Sequence, residues 1–108
     1  MRLLRPIIHV CLWVGAASGV FAAGSAEDLQ RLRTRSLAAT CSQCHGTDGR
    51  PAAGSIVPAL AGRSEADTTQ QLLAFKAGSR PATVMTQLAK GYSDEQIRQL
   101  AAYFAAQK

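Results

Sequence analysis

The sequence lacks most of what a large fold or a polymer-binding surface requires. At 108 residues it is too short for a barrel or any other multi-layer enzyme fold. Aromatic residues make up only 6%, few for a core built from protein side chains alone. No run alternates apolar and polar residues, so nothing reads as a strand, and no repeat or low-complexity segment appears. Basic residues are spread along the chain instead of clustered, which argues against a nucleic-acid partner. Histidine and methionine number only two each and cysteine three, and their positions turn out to carry most of the information.

The first 26 residues read as an export signal. Arg2 and Arg5 form a basic start, Ile7 to Val20 an apolar stretch, and Val20-Phe21-Ala22 and Gly24-Ser25-Ala26 two small-residue cleavage patterns. Cleavage is expected after Ala22 or Ala26. Gly15, Ser18 and Gly19 interrupt the apolar stretch, which is shorter than the ~20 residues of a membrane span. The alternative is an uncleaved anchor. The expectation is therefore a leader over 1–26 and one domain over 27–108, delivered to a periplasm or similar oxidising space, with no membrane span after cleavage. Losing Arg2 and Arg5 lowers the formal charge from +5 to +3, a mild excess suited to steering acidic protein partners.

Removing the leader also removes Met1, His9 and Cys11. One histidine, His45, then remains, with one methionine, Met85, and the pair Cys41 and Cys44. The run Cys41-Ser42-Gln43-Cys44-His45 is C-x-x-C-H, the attachment pattern for haem c. Two intervening residues match the thiol spacing to the porphyrin vinyl groups, and the adjacent imidazole becomes the proximal iron ligand. Three other readings compete. A thioredoxin-like redox pair wants a preceding strand, which is absent. A structural zinc site wants four ligands, one more than Cys41, Cys44 and His45 supply. The third is chance occurrence.

A second axial ligand has one sulfur candidate, Met85, 40 residues after His45 and just beyond the loop Arg80-Pro81-Ala82-Thr83-Val84. The alternative is that Met85 merely fills core. A ligating histidine commonly gives its other ring N–H to a carbonyl, and Pro58 is expected to provide it unless it is an ordinary loop proline. Lys76, Arg80 and Lys90 flank Met85 and are expected to form a basic docking rim.

Around these residues the pattern is helical. Glu27 to Ala39 reads as a helix with Leu29, Leu32 and Leu37 apolar and Arg31, Arg33 and Arg35 solvated. Ser64-Glu65-Ala66-Asp67 starts a second helix that ends at Gly78, with Leu72, Leu73 and Phe75 for burial. Ser93-Asp94-Glu95-Gln96 starts a third, in which Ile97, Leu100, Ala101 and Phe104 form one apolar stripe that should pack on the first helix. The fold class is all-α, roughly four helices around one covalently bound haem.

The mature part as a whole resembles the class I c-type cytochromes. Cys41-Ser42-Gln43-Cys44-His45-Gly46-Thr47-Asp48-Gly49 carries the likeness most strongly. Pro81-Ala82-Thr83-Val84-Met85 through Ala89-Lys90-Gly91-Tyr92-Ser93-Asp94-Glu95 is similar to the cytochrome subunit of flavocytochrome c sulfide dehydrogenase. The resemblance implies one haem c bound covalently through Cys41 and Cys44, His45 and Met85 as axial ligands, and Pro58 in the place of the proline near the proximal histidine. It implies an electron carrier without chemistry of its own, taking electrons from a redox partner such as an FAD-bearing sulfide-oxidising subunit. Other expectations are a free carrier serving a different respiratory partner, and a haem sensor whose Met85 dissociates.

Overall fold

The computed structural model describes residues 24–108, and these are all-helical. Four α-helices follow in order: α1, Ala26–His45; α2, Glu65–Ala77; α3, Met85–Leu88; and α4, Asp94–Ala105. Short 3-10 turns cover Thr47–Gly49 and Ala89–Gly91. Among the described residues no helix is long and apolar enough to cross a membrane. The expected leader lies outside the described residues up to position 23. Cleavage after Ala26 would cut into α1, because Ser25 is its N-cap and forms a reciprocal capping box with Asp28. A chain beginning after Ala22 keeps that cap.

Helix α1 is longer than the expected span. It runs through the whole C-x-x-C-H motif and stops only at Gly46, which takes φ 79°. No proline or glycine precedes that point within the helix, and the backbone has no reason to leave it earlier. Helix α2 follows its expected bounds, from the Ser64 cap to the left-handed Gly78. Helix α4 has Ser93 as cap, again in a reciprocal box, here with Gln96.

The core is small and sits where α1 crosses α4. Ala38, Leu100 and Phe104 form its centre, with Leu37, Cys41, Leu60, Tyr92 and Tyr103 packed around them. Ile97, Leu100, Ala101 and Phe104 are all buried, as the stripe on α4 requires. Leu29 and Leu32 are not part of this core, being 51% and 59% exposed. The α4-facing stripe of α1 passes through Ala38 and Cys41, and at about 100° per residue Leu29 and Leu32 fall on roughly the opposite side. On α2, Leu72, Leu73 and Phe75 are half-buried, and the buried residue is Thr68, whose hydroxyl has no partner.

Phe104→Ala should therefore cost about 3–5 kcal/mol of stability, whereas Leu32→Ala should stay within about 0.5 kcal/mol. Urea unfolding of the two variants beside the native protein measures the contrast.

Candidate functional site

The last turn of α1 assembles the motif. Cys41, Cys44 and His45 stand at i, i+3 and i+4, so they share one face of the helix. Cys41 is half-buried against the α1–α4 core, while Cys44 is exposed, and both are free thiols. Burial pushes the Cys41 thiol above its ordinary range, with the Thr40 hydroxyl a weaker opposing influence. Cys41 also sits near a helix C-terminus, where the backbone dipole disfavours a thiolate. Both features run against an activated redox thiol, which needs a lowered pKa. Among the described residues no group of three or more His, Cys, Asp or Glu side chains is placed to hold a metal ion.

His45 is oriented by a hydrogen bond of 2.7 Å between Nδ1 and the Pro58 carbonyl. A carbonyl only accepts, so Nδ1 carries the proton and Nε2 keeps its lone pair. The chain reaches Pro58 through two glycine-dependent steps. Gly46 turns the backbone out of α1, and a Cβ there would run into the Arg50 carbonyl. At Gly49, with φ 79°, a Cβ would lie 2.8 Å from both Leu60 Cβ and Phe104 Cδ1. The Gly49 carbonyl accepts from the N–H groups of Leu60 and Ala61 at 2.8 and 3.1 Å, and Gly62 N–H donates to Phe104 O at 2.9 Å. Tyr103 donates to Asp48 at 2.6 Å and holds the same turn from the other side; the Asp48 carboxylate in return keeps the Tyr103 phenol above its ordinary range.

Met85 stands on a separate element. It is half-buried and is the first residue of α3, directly after the loop that holds Pro81. Helix α3 packs against α2. At the base of this segment Lys76 pairs with Asp94 at 2.6 Å, and Arg80 lies 5.3 Å over the Phe75 ring. Lys76 is thus matched by an acid, which corrects the picture of a rim of three free basic residues. Sequence reasoning also missed Thr40 and Tyr92, whose hydroxyls meet at 2.8 Å. They are 52 residues apart in the chain, and only the topology reveals the pairing.

The site suits a flat apolar group gripped from one helix. It offers two thiols one turn apart and an imidazole on the same face with its Nε2 lone pair available. Ile56, two residues before Pro58, and Val84 and Leu88, on α3 or its cap with Met85, are 99%, 54% and 51% exposed, apolar side chains that the described protein leaves uncovered. A protein core of this small size also suits completion by a bound group.

Comparison with known proteins agrees. Residues 25–104 match the family described as cytochrome c oxidase, cbb3-type, subunit III. The cytochrome subunit of sulfide dehydrogenase from Chlorobaculum tepidum is 38% identical over 89 residues, covering 82% of this chain and 79% of the relative. Cytochrome c4 from Pseudomonas aeruginosa is 36% identical over 104 residues, covering 96% of this chain and 49% of the relative, so the chain spans about half of that protein. The thiosulfate dehydrogenase electron acceptor of Thiomonas intermedia is 42% identical over 73 residues, covering 66% of this chain and 33% of the relative. The all-helical fold and the C-x-x-C-H turn, taken with these matches, place the chain in the cytochrome c family, among the class I c-type cytochromes. It is an electron-transfer protein, and the cofactor of its family is haem c.

Two outcomes follow from the site's geometry. Gly46→Ala should sharply reduce the fraction of chain recovered with haem attached, read from the mass and haem absorbance of the purified protein. The second concerns Asp94, whose carboxyl is held below its ordinary range by the Lys76 hydrogen bond and then by the Lys76 charge. A depressed folded-state pKa contributes stability above the unfolded value of about 3.9 that is lost as pH falls through the folded one. Asp94→Asn should accordingly be less stable than the native protein at pH 7, and the gap should close in acid, as followed by urea midpoints across pH.

Proposed function

We propose that the chain carries a single haem c, bound through thioethers to Cys41 and Cys44, with His45 and Met85 as axial ligands, and that it works in the periplasm as a one-electron carrier. The observation that carries this reading is the 2.7 Å bond from His45 Nδ1 to the Pro58 carbonyl. That bond assigns the proton to the nitrogen facing the protein and leaves Nε2 as a ligand, on the same helix face as the two thiols. When bound, haem c supplies a one-electron Fe(III)/Fe(II) couple. The chain's own residues then have distinct tasks. Cys41 and Cys44 fix the group to α1. Pro58 locks the ring orientation of His45. Met85 contributes a thioether, a ligand that favours the reduced state. The leader-like residues 1–26 support the periplasm as the compartment.

The electron donor in this reading is an FAD-bearing subunit that oxidises sulfide. Support comes from two relatives named for sulfur-compound dehydrogenases, a cytochrome subunit and an electron acceptor. The exposed Arg80 and Lys90 on either side of Met85 suit an acidic partner surface.

Expression of the full chain in a bacterium able to mature c-type cytochromes tests the assignment. The exported protein should have the mass of the processed chain plus one haem, and free Cys41 and Cys44 thiols in the purified protein would refute it. Met85→Ala should keep the haem, lose the long-wavelength methionine–iron charge-transfer band and show a lower potential. Sulfide should reduce the native protein rapidly only when the FAD partner is present.

A further inference from the structure

We propose that Tyr92 is a positioning residue for the iron ligand: its hydroxyl latches the Met85-bearing segment onto α1 and so sets how readily the methionine yields its place to another ligand. The inference rests on the reading of Met85 as an axial ligand.

Residues 78–93 join α2 to α4; α3 packs on α2, but little in the stretch reaches α1. Residues 78–84 are all exposed, α3 is only 4 residues long, and Ala89 is the one buried residue of the stretch. Such a segment belongs to the low-stability part of a fold, where opening occurs without global unfolding. The Lys76–Asp94 pair closes the base of the segment, but both partners lie outside α1. Among the described residues, the one side-chain hydrogen bond between 78–93 and α1 is that of Tyr92 to Thr40, at 2.8 Å.

The direction of that bond follows from counting protons. The Thr40 hydroxyl approaches the Leu37 carbonyl at 2.7 Å. A carbonyl has no proton to give, so Thr40 donates there and its oxygen accepts from Tyr92 O–H. Thr40 directly precedes Cys41, with Oγ1 3.9 Å from its sulfur. Tyr92 also packs against the Ala38–Leu100–Phe104 cluster beside Cys41. One contact therefore connects the residue seven positions after Met85 to the residue next to the thiol that would anchor the haem.

If the segment opens as a unit, an external ligand binds iron only in the open state, and its apparent affinity scales with the open fraction. The Tyr92–Thr40 bond exists only when the segment is closed. Removing it should raise the open fraction about fivefold, the factor that one net neutral hydrogen bond represents. The Tyr103–Asp48 bond provides an internal comparison, since it joins α4 to the turn after α1 and touches no residue of 78–93.

The test is an imidazole titration of the oxidised holoprotein, followed by loss of the methionine–iron charge-transfer band. Absence of that band from the native protein would refute Met85 as ligand and the latch with it. With the band present, Tyr92→Phe should retain it in the absence of imidazole but bind imidazole about fivefold more tightly. Tyr103→Phe should leave the affinity unchanged. Hydrogen exchange at the amides of residues 85–91 should quicken in Tyr92→Phe and not in Tyr103→Phe. Adding Thr40→Val to Tyr92→Phe should produce no further gain. An unchanged affinity in Tyr92→Phe, or equal shifts in the two tyrosine variants, would overturn the latch while leaving the ligand assignment standing. These two comparisons decide the matter even if Thr40→Val does not mature.

Discussion

The contact between Gly49 and the Phe104 ring is the constraint on which the rest of this small domain depends. Phe104 fills the crossing of α1 and α4, and its ring occupies the space that a side chain at position 49 would need. With the two pressed together, the Gly49 carbonyl takes the N–H groups of Leu60 and Ala61, and the Phe104 carbonyl takes that of Gly62. The loop from 50 to 62 is thereby folded back toward the end of α1. Pro58, carried in that loop, presents its carbonyl to His45. A packing decision in the core thus fixes the tautomer of an imidazole at the surface of the same domain.

The two halves of the site are built by different means. On the His45 side most positioning elements are backbone: glycines that permit close approach, carbonyls that accept, and a helix that continues without a break through both cysteines, with the Tyr103–Asp48 bond pinning the turn. Such elements have few alternative conformations and hold geometry closely. On the Met85 side the elements are side chains at the ends of a mostly exposed segment, namely the Lys76–Asp94 pair and the Tyr92–Thr40 bond. A redox protein benefits from this division. Under the proposed ligation, His45 would be held fixed while Met85 would have room to adjust.

Much of the fold was legible in the sequence because its signals are local. Ser64 and Ser93 cap their helices and Gly78 ends α2 as their residue types dictate, and the stripe from Ile97 to Phe104 is buried as its spacing requires. The Pro58 acceptor was also within reach, since a ligating histidine must place its second N–H somewhere. What local signals could not convey was register between distant elements. Leu29 and Leu32 look like core residues until the helix is rotated so that Ala38 and Cys41 face α4. Helix α3 was missed because its four residues are too few to show a period and follow a loop with no helix-start signal. Lys76 looked free because Asp94, its partner, lies on the next long helix.

The α1–α4 crossing also has a kinetic side. Ala38 meets Leu100 and Phe104, so the central contact of an all-helical protein joins positions more than sixty residues apart in the chain. Most helical domains gather their first contacts between sequential neighbours and fold quickly for that reason. Here the ends must find one another before the core exists, at an entropic cost on the order of 4 kcal/mol for closing so long a loop. Little buried apolar surface in the intervening chain offsets that cost along the way. Helix α2 also packs on α4, across a much shorter stretch of chain, so that pairing costs less loop entropy than the crossing of α1 with α4.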